Sequence, residues 1–253
     1  MIDNTEIKDK LVLITGASGG IGGAVAIQFA SAGAHLALTY STNISSLETL
    51  ASSLKTSFPD LQISLHEVDL TIEESIQKVF QDVKKKHDAD VDILVSNAGY
   101  GKRISEIWDI PSSEFDKMID INLKASFLLV KGVVDGMKAQ KWGRIIFISS
   151  IAAYGAGING CHYAASKGGL NSMMMNLSSH LAEFNITVNS VSPAMVGSTG
   201  MIPDEDSVPG LVETIPLGRL CKPSEVANVV SMFACTGFVT GQSLVVAGGL
   251  KHL

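Results

Sequence analysis

The sequence predicts an α/β domain built on a doubly wound parallel sheet with helices on both faces. Short apolar runs alternate along the chain with longer segments of helical period, which is the pattern of βαβ units. A glycine-rich turn follows the first apolar run directly, and no linker or internal repeat divides the chain. At 253 residues the chain suits one large domain better than two small ones.

Seven apolar runs are predicted to form the strands. They are rich in Val, Ile and Leu, as strands buried on both faces of a parallel sheet require. In chain order they span residues 11–15, 35–40, 61–68, 91–96, 144–149, 186–191 and 243–247.

Three of the intervening segments have helical patterns. Thr71, followed by two acidic residues, is predicted to begin a helix, because acids favour the positive end of a helix. Residues 112–140 and 162–183 are each predicted to form one long helix. The apolar stripe of the first helix consists of Ile72, Ile76, Val79, Phe80 and Val83.

The segment 193–219 breaks the regular pattern. Pro203, Pro209 and Pro216 interrupt it, and the acidic run 204–206 favours solvent. A long irregular segment of this kind predicts a mobile lid over a substrate site. Its apolar residues either line that lid or simply fill core; they are Met195, Met201, Ile202, Val208 and Leu211.

Composition excludes several classes of protein. Hydrophobic residues make up 46% and charged residues 17%, so the chain can bury a core and has no signature of disorder. The net charge of −6 argues against nucleic acid or an anionic membrane as the main partner. No apolar run reaches the roughly 18 residues of a membrane span. The six histidines show no metal-binding spacing, so no metal site is expected.

The cysteines and the N-terminus indicate a reducing compartment. Cys161, Cys221 and Cys235 form no CxxC motif and cannot pair evenly, which argues against a disulfide framework. Residues 1–8 contain neither an apolar signal core nor an arginine-rich transit pattern. We therefore expect a cytoplasmic protein.

The glycine-rich turn, residues 15–22, points to a phosphate-binding site. Gly16, Gly20 and Gly22 let backbone N–H groups approach a pyrophosphate, and the N-terminus of the following helix adds partial positive charge. The spacing is G-x-x-x-G-x-G rather than G-x-G-x-x-G. Taken alone, the turn is also compatible with a tight strand-to-helix connection that binds nothing.

The end of the second strand bears on the choice of dinucleotide. An acidic residue there would bind the adenosine ribose and repel a 2′-phosphate. That position holds Tyr40, and the neutral side chains of Ser41, Thr42 and Asn43 follow. Since nothing at this position repels a phosphate, the sequence favours NADP(H).

Tyr163 and Lys167 form a candidate acid–base pair. They lie four residues apart, hence on one face of a helix, and a nearby ammonium is expected to lower the pKa of the phenol. Ser150 ends an apolar strand thirteen residues upstream, where its hydroxyl could bind the same substrate oxygen. An isolated tyrosine–lysine pair would usually be a surface helix pair.

Taken together, these motifs resemble the short-chain dehydrogenase/reductase family over essentially the whole chain. The glycine turn matches the glycine motif of the family, and Ser150, Tyr163 and Lys167 match its triad. The resemblance implies a single-domain Rossmann fold with a seven-stranded sheet. It implies a catalytic set of Asn122, Ser150, Tyr163 and Lys167. It also implies cofactor contacts from Gly16, Ser18, Gly20, Ile21, Gly22, Tyr40, Ser41, Asp69, Leu70, Asn97, Ala98, Gly99, Tyr163, Lys167, Pro193, Val196 and Ser198.

The resemblance also implies a mechanism. Ser150 and Tyr163 would bind a carbonyl oxygen while hydride arrives from NADPH, and Tyr163 would donate the proton. Lys167 would hold the nicotinamide ribose, and Asn122 would position a water that refills the proton. The helix of Tyr163 commonly packs against its copy in this family, which implies a homotetramer or a homodimer.

Within the family the sequence resembles the 3-oxoacyl-carrier-protein reductase-like branch, with departures. Ala194 replaces a usual glycine, Ser96 replaces the first of two asparagines, and Ala247 replaces a usual aspartate. Phe184 stands where carrier-protein reductases present a basic residue, and Lys141 alone keeps the other half of that patch. An acyl thioester and a small ketone therefore both remain open as substrates.

Two other functions are compatible with the sequence. One is a biosynthetic enzyme of the same family that acts on a specialised ketone or imine. The other is a dinucleotide-binding sensor without turnover, which the complete catalytic set disfavours.

Three features near the predicted triad are expected to be structural. His162 is expected at the surface of the helix start, and Cys161 is expected to be packing or a modifiable thiol. Residues 173–175, three methionines, are expected to pack the helix or a subunit contact.

Overall fold

The computed structural model describes residues 7–155, 158–202 and 204–250. Its centre is a seven-stranded sheet in the order β3-β2-β1-β4-β5-β6-β7, and each neighbouring pair of strands is parallel. The strands are β1 (Leu11–Ile14), β2 (His35–Tyr40), β3 (Ile63–Glu67), β4 (Ile93–Ser96), β5 (Gly143–Ile148), β6 (Ile186–Pro193) and β7 (Ser243–Val246). The predicted parallel sheet is confirmed, with each strand within two residues of its predicted limits.

Seven α-helices connect the strands within the described residues. They are α1 (Gly20–Ser31), α2 (Ile44–Ser57), α3 (Glu73–His87), α4 (Ser112–Ile119), α5 (Ala125–Gln140), α6 (Cys161–Leu181) and α7 (Pro223–Cys235). Four of the five predicted stripe residues lie on α3, where Ile76, Val79 and Val83 are buried and Phe80 is partly buried. The helix begins at Glu73, two residues after Thr71, and the fifth residue, Ile72, is its N-cap and is 47% exposed, so it is not part of the stripe. Acidic residues in the first turn of α3 and basic residues in its last complement the helix dipole.

The single helix predicted for 112–140 is wrong in one respect. A π-helical segment, Asp120–Lys124, joins α4 to α5 without ending the rod. Its backbone N–H groups donate to the carbonyl five residues earlier, rather than four as in an α-helix. The bond from the Ala125 N–H to the Asp120 carbonyl is an example. This segment contains Asn122, so the irregularity lies where the sequence places a functional residue.

The sheet is buried on both faces, as its composition predicts. Successive residues of β1 face opposite sides: Val12 and Ile14 belong to one apolar cluster, and Leu11 and Leu13 to the other. Helices α1, α2 and α7 cover the first face, and α3, α5 and α6 supply apolar residues to the second. All four β1 side chains are at most 2% exposed.

The strand order positions the functional site. The chain leaves β1 in one direction to β2 and β3, and later returns to place β4 on the other side of β1. The loops after β1 and β4 therefore diverge and leave a crevice at the carboxyl ends of the strands, where open α/β sheets bind their ligands.

The segment 193–219 has a small apolar core of its own. Buried side chains of this core include Met195, Ile202, Val208 and Ile215, and Leu220 completes it. A bidentate ion pair between Arg219 and Glu225 fixes the end of the segment to the start of α7. Of the predicted interruptions, Pro203 lies outside the described residues, as do residues 1–6 of the N-terminal segment.

Among the helices in the described ranges, none combines the length and the apolar character that crossing a bilayer requires.

Candidate active site

The glycine turn is a tight, internally bonded loop between β1 and α1. Gly16 has a φ of +64°, a left-handed conformation that glycine adopts without a Cβ penalty. A Cβ on Gly22 would lie 2.4 Å from the Gly16 carbonyl oxygen, so only glycine allows the helix to start so close to the turn. The amide of Asn97 donates to the Thr15 carbonyl at 2.8 Å and locks the turn to the end of β4.

Gly20, the first residue of α1, touches the start of the predicted lid. A Cβ on Gly20 would lie 2.1 Å from the carbonyl oxygen of Ser198, closer than van der Waals contact allows. Ser198 itself has a φ of +56°, which is strained for a residue with a side chain. The first residues of the segment 193–219 and the N-terminus of α1 therefore form adjoining walls of one crevice.

Residues 97–99 form the opposite wall of the crevice. The hydroxyl oxygen of Thr15 accepts from the backbone N–H groups of Asn97 and Ala98, both at 3.0 Å. Ser96, the departure from the usual asparagine pair, hydrogen-bonds the Ser126 hydroxyl at 2.9 Å within the protein interior. Ser96 is thus engaged in a buried contact with α5 and does not line the crevice.

Asn122 ties the loop after β4 to the helix of the tyrosine. Its Oδ1 accepts from the Tyr100 N–H at 2.7 Å, and its Nδ2 donates to the Tyr100 carbonyl at 2.9 Å. The same Nδ2 donates to the Ser166 hydroxyl at 3.1 Å. The side chain is 1% exposed, so it holds backbone in place and does not face the crevice.

Ser150, Tyr163 and Lys167 converge where β5 meets α6. Lys167 donates from Nζ to the carbonyl of Ile148, the last residue of β5, at 2.8 Å. The hydroxyl of Ser149 donates back to the Lys167 carbonyl at 3.1 Å, so strand and helix are fastened in both directions. A hydrogen bond joins the Tyr163 phenol to Ser150.

The pKa values of Tyr163 and Lys167 correct the prediction made for the tyrosine. Burial raises the pKa of the Tyr163 phenol, and the hydrogen bond with Ser150 opposes that rise. The prediction that Lys167 lowers the pKa of the Tyr163 phenol is therefore wrong. The Lys167 ammonium lies 5.8 Å from the centre of the ring, and burial of the phenol outweighs its effect. Burial lowers the pKa of Lys167 itself to about 8, so the ammonium is held at neutral pH against a desolvation cost.

These walls enclose one elongated cavity of about 980 Å³. The glycine turn, Tyr40, Ser41, Asp69 and Leu70 line one half. The other half, here called the substrate chamber, extends from Tyr163 past Ile151, Ile158 and residues 199–202 of the predicted lid. Of the site residues predicted from sequence, all line the cavity except Asn122 and Ser198, which stand behind its walls.

The cavity fits an extended dinucleotide. Gly16, Gly20 and Gly22 line one end of the cavity and have no room for a Cβ. Helix α1 begins there, and its N-cap Gly19 offers no side chain to the first N–H groups of the helix. Lys167 and Tyr163 face the middle of the cavity, between the glycine turn and the substrate chamber. The residues that would hold the cofactor are therefore those predicted from the glycine turn, the strand ends and the triad.

The adenosine half of the cavity contains one charged side chain among its described lining residues, Asp69. Both hydrogen bonds to its Oδ1 come from Thr71, from the N–H at 2.9 Å and the hydroxyl at 2.7 Å, and they lower the pKa of the carboxyl. Helix α2 begins at Ile44, close after Ser41, with Asn43 as its N-cap. The positive end of this helix therefore lies close to Tyr40 and Ser41, which line the same half of the cavity.

Two features of the site were not predicted from the sequence. His162 is wholly buried rather than at the surface, and neither ring nitrogen has a hydrogen-bond partner in the described structure. Arg103, in the loop after β4, lines the substrate chamber. No motif marks either residue, since a polar loop and a helix start are where sequence reasoning expects solvent. Cys161, by contrast, is exposed.

Within the described residues, no group of three or more His, Cys, Asp or Glu side chains is placed to hold a metal ion.

The site combines a phosphate cradle at the switch point of a parallel sheet with a tyrosine, lysine and serine at the centre of the cavity. This arrangement defines a dinucleotide-binding oxidoreductase. The family model described as short chain dehydrogenase matches residues 10–207. The chain therefore belongs to the short-chain dehydrogenase/reductase family, in its 3-oxoacyl-carrier-protein reductase-like branch.

Individual relatives match over nearly the full chain. The 3-oxoacyl-[acyl-carrier-protein] reductase of Rickettsia bellii is 35% identical, with 97% of this chain and 98% of the relative covered. A 3-oxoacyl-[acyl-carrier protein] reductase with bound NAD from Brucella melitensis superposes with a TM-score of 0.86 at 28% identity, covering 96% and 91% of the two chains. Levodione reductase superposes with a TM-score of 0.89 at 25% identity, covering 96% and 98%.

Proposed function

We propose that this protein is an NADP(H)-dependent reductase that transfers hydride to a ketone or 3-oxoacyl-type carbonyl, with Tyr163 as the general acid. The observation that carries the proposal is the convergence of Ser150, Tyr163 and Lys167 at the centre of a cavity that has a phosphate cradle at one end. Membership of the short-chain dehydrogenase/reductase family supports the reaction type.

Ser150, Tyr163 and Lys167 have different roles in the proposed carbonyl reduction. Ser150 and Tyr163 bind the carbonyl oxygen through their hydroxyls, and Tyr163 then gives that oxygen its proton. The raised pKa keeps the phenol protonated at neutral pH, which is the state that an acid requires. A bound nicotinamide supplies the hydride. Lys167, whose pKa is about 8, is charged at neutral pH and binds ribose hydroxyls.

Asn122 acts as a positioning residue in this proposal. Its amide fixes the Tyr100 backbone and Ser166, so it connects one wall of the crevice to α6. The role predicted from the resemblance, holding a water that refills the proton, stays a prediction. Its side-chain groups are engaged by protein partners, so such a water would contact its backbone.

The decisive test removes the proposed general acid, the Tyr163 hydroxyl, and leaves the shape of the cavity nearly unchanged. Tyr163→Phe removes one hydroxyl, so we expect NADPH oxidation with a responsive ketone to fall at least about a thousandfold while NADPH still binds. The control is Tyr154→Phe, which removes the hydroxyl of an exposed tyrosine elsewhere in the chain. Unchanged turnover in Tyr163→Phe would refute the role of Tyr163.

The screen for a responsive substrate covers acetoacetyl thioesters, diketones, quinones, cyclic ketones and imines. It separates the proposed function from its alternatives. Turnover confined to a specialised ketone or imine would indicate a biosynthetic enzyme. NADPH binding without turnover of any compound would indicate a sensor of the same fold.

The preference for NADP(H) rests on the neutral residues at the end of β2. Tyr40 and Ser41 line the cavity where a carboxylate would repel a 2′-phosphate, and the N-terminus of α2 lies nearby. Titration of nicotinamide fluorescence should give a lower Kd for NADPH than for NADH. Ser41→Asp should reverse that order, and tighter NADH binding by the unaltered protein would refute the preference.

An acyl thioester on a carrier protein is favoured by one further observation. The Lys138 ammonium lies 4.9 Å from the centre of the Phe184 ring, so α5 supplies a cation where Phe184 replaces a basic residue. With Lys141 in the adjoining turn, the patch has two cations. Lys138→Glu should then weaken reduction of an acetoacetyl carrier-protein thioester and leave acetoacetyl coenzyme A unaffected; equal effects on both would exclude docking at this patch.

The proposed assembly is a homotetramer or a homodimer. Phe127 on α5 and Met175 on α6 are 53% and 54% exposed, so each helix offers a large apolar side chain to a subunit contact. Sedimentation velocity tests this directly, and a purely monomeric protein at micromolar concentration would refute it.

A further inference from the structure

Arg103 lies beside the reaction centre, in the loop that follows β4. Two residues before it, a Cβ on Gly101 would lie 3.6 Å from Cε2 of Tyr163 and 3.0 Å from the sulfur of Met201. Two residues of extended chain span at most about 7 Å. The Arg103 backbone is therefore within one short chain length of the tyrosine, and its side chain lines the substrate chamber.

The neighbouring charges are paired, and Arg103 is not. Lys102 is held away from the chamber by Glu114, whose Oε2 lies 3.1 Å from its ammonium. Within the described part of the chain, no carboxylate lies within ion-pair distance of the Arg103 guanidinium and no hydrogen bond to it is formed. Arg103 is exposed and lines the chamber, so the five donors of its guanidinium are available to a ligand.

The remainder of the chamber is mostly apolar. Its described lining includes Ile151, Ile158, Met195 and Leu211, with Asn159 and Thr214 as neutral polar residues. Of the other charged side chains among the described lining residues, Asp69 lies in the adenosine half, and Lys167 donates to the Ile148 carbonyl and is assigned to the cofactor ribose by the proposed function. An apolar chamber with a single unpaired guanidinium at its mouth is complementary to an amphipathic anion.

We propose that Arg103 binds an anionic group of the substrate, so that the preferred substrates are ketones whose apolar body ends in a carboxylate or a phosphate. The proposal rests on the proposed reductase function and adds the chemical class of the substrate. The guanidinium sets specificity by fixing the far end of the substrate, while Tyr163 and Ser150 act on its carbonyl. A carboxylate of a free oxo acid and a phosphate of a coenzyme A thioester present the same chemistry to Arg103.

The experiment compares matched substrates in Arg103→Gln and in Lys102→Gln, a neighbouring control that removes the same charge outside the chamber. One pair is levulinate and methyl levulinate; the other is acetoacetyl coenzyme A and acetoacetyl-N-acetylcysteamine, which lacks phosphate. We expect Arg103→Gln to lower kcat/KM about tenfold for one charged member, mainly through KM, and to leave both neutral members unchanged. A loss for levulinate assigns a carboxylate, and a loss for the coenzyme A thioester assigns a phosphate.

Equal effects on charged and neutral members, or equal effects of the two variants, would overturn the proposal. A binding measurement keeps it separate from the proposed function. Calorimetric titration with octanoate and with octanamide needs no turnover, and only octanoate binding should weaken in Arg103→Gln. If no ketone is reduced but this difference is found, the reductase function fails and the anion site stands; if ketones are reduced without this difference and without charge discrimination, the anion site fails alone.

Discussion

Burial of the Lys167 ammonium is expected to lower the stability of the fold, although the proposed reaction requires this residue. The side chain is 3% exposed, and burial lowers the pKa of its ammonium from 10.5 to about 8. At about 1.36 kcal/mol per pH unit, this fall corresponds to about 3 kcal/mol of unfavourable desolvation at neutral pH. Replacing the ammonium with an apolar group of similar shape, Lys167→Met, removes that cost.

The substitution also removes one favourable interaction. The ammonium donates to the Ile148 carbonyl at 2.8 Å, and loss of such a bond costs about 1 kcal/mol. Its contact with the Tyr163 ring, at 5.8 Å, is at the outer limit of a cation–π interaction and contributes little. We expect Lys167→Met to be more stable than the unaltered protein by about 2 kcal/mol at pH 7, with reductase activity abolished.

Thermal unfolding at a fixed protein concentration measures this difference, which should raise Tm by roughly 4 to 8 °C. Because the folded pKa lies below the unfolded value, the cost is fully present below about pH 8 and declines as pH rises toward 10.5. The advantage of Lys167→Met should therefore be smaller at pH 9.5 than at pH 7. Lys131→Met, at an exposed position of α5, is the control and should change stability little.

Two results would refute the reasoning. A variant less stable than the unaltered protein at pH 7 would mean that the buried ammonium is a net stabiliser. A difference that stays constant between pH 7 and pH 9.5 would mean that Lys167 does not titrate in this range.

The remaining predictions concern the cradle, the sheet edge and the loop after β4. Gly20→Ala should raise the NADPH Kd at least tenfold in fluorescence titration, because its Cβ would overlap a lid carbonyl, whereas Gly23→Ala, whose nearest contacts are at 3.6 Å, should not. His66, whose pKa is lowered to about 4 by burial and Lys86, should cost stability as pH falls from 6.5 toward 4; His66→Gln should flatten that loss in urea unfolding, and an unchanged slope would contradict it. Asn122→Leu should destabilise the fold by roughly 2 to 3 kcal/mol by orphaning buried backbone groups, and a smaller loss than an exposed Asn→Leu control would refute this.

The fold was predictable because burial on both faces gives a strong signal. The runs that form β1 and β4 are continuous apolar segments, and every described residue of both strands is buried. The triad was predictable because Tyr163 and Lys167 are separated by one helical turn, a relation that sequence spacing preserves.

Other features depend on contacts that spacing does not record. The cation at Phe184 comes from Lys138, on a different helix, so only the packing of α5 against the end of α6 reveals it. His162 is polar but fully buried, at a point where the Ile104 carbonyl of the loop after β4 lies close to Gly160 at the start of α6. The pKa of Tyr163 departs from its prediction because desolvation outweighs a charge nearly 6 Å away.

The π-helical segment at Asp120–Lys124 has a consequence for the permitted length of the chain. Successive residues of an α-helix are rotated by about 100° about the helix axis. The extra residue in a π-helical turn therefore rotates the side chains of α5 that contact other elements relative to those of α4. This phase change lets α4 pack on α6 while α5 packs on α3 and the sheet. A one-residue deletion here would rotate one face out of contact, so the length of this stretch is constrained more tightly than the identity of its outward-facing side chains.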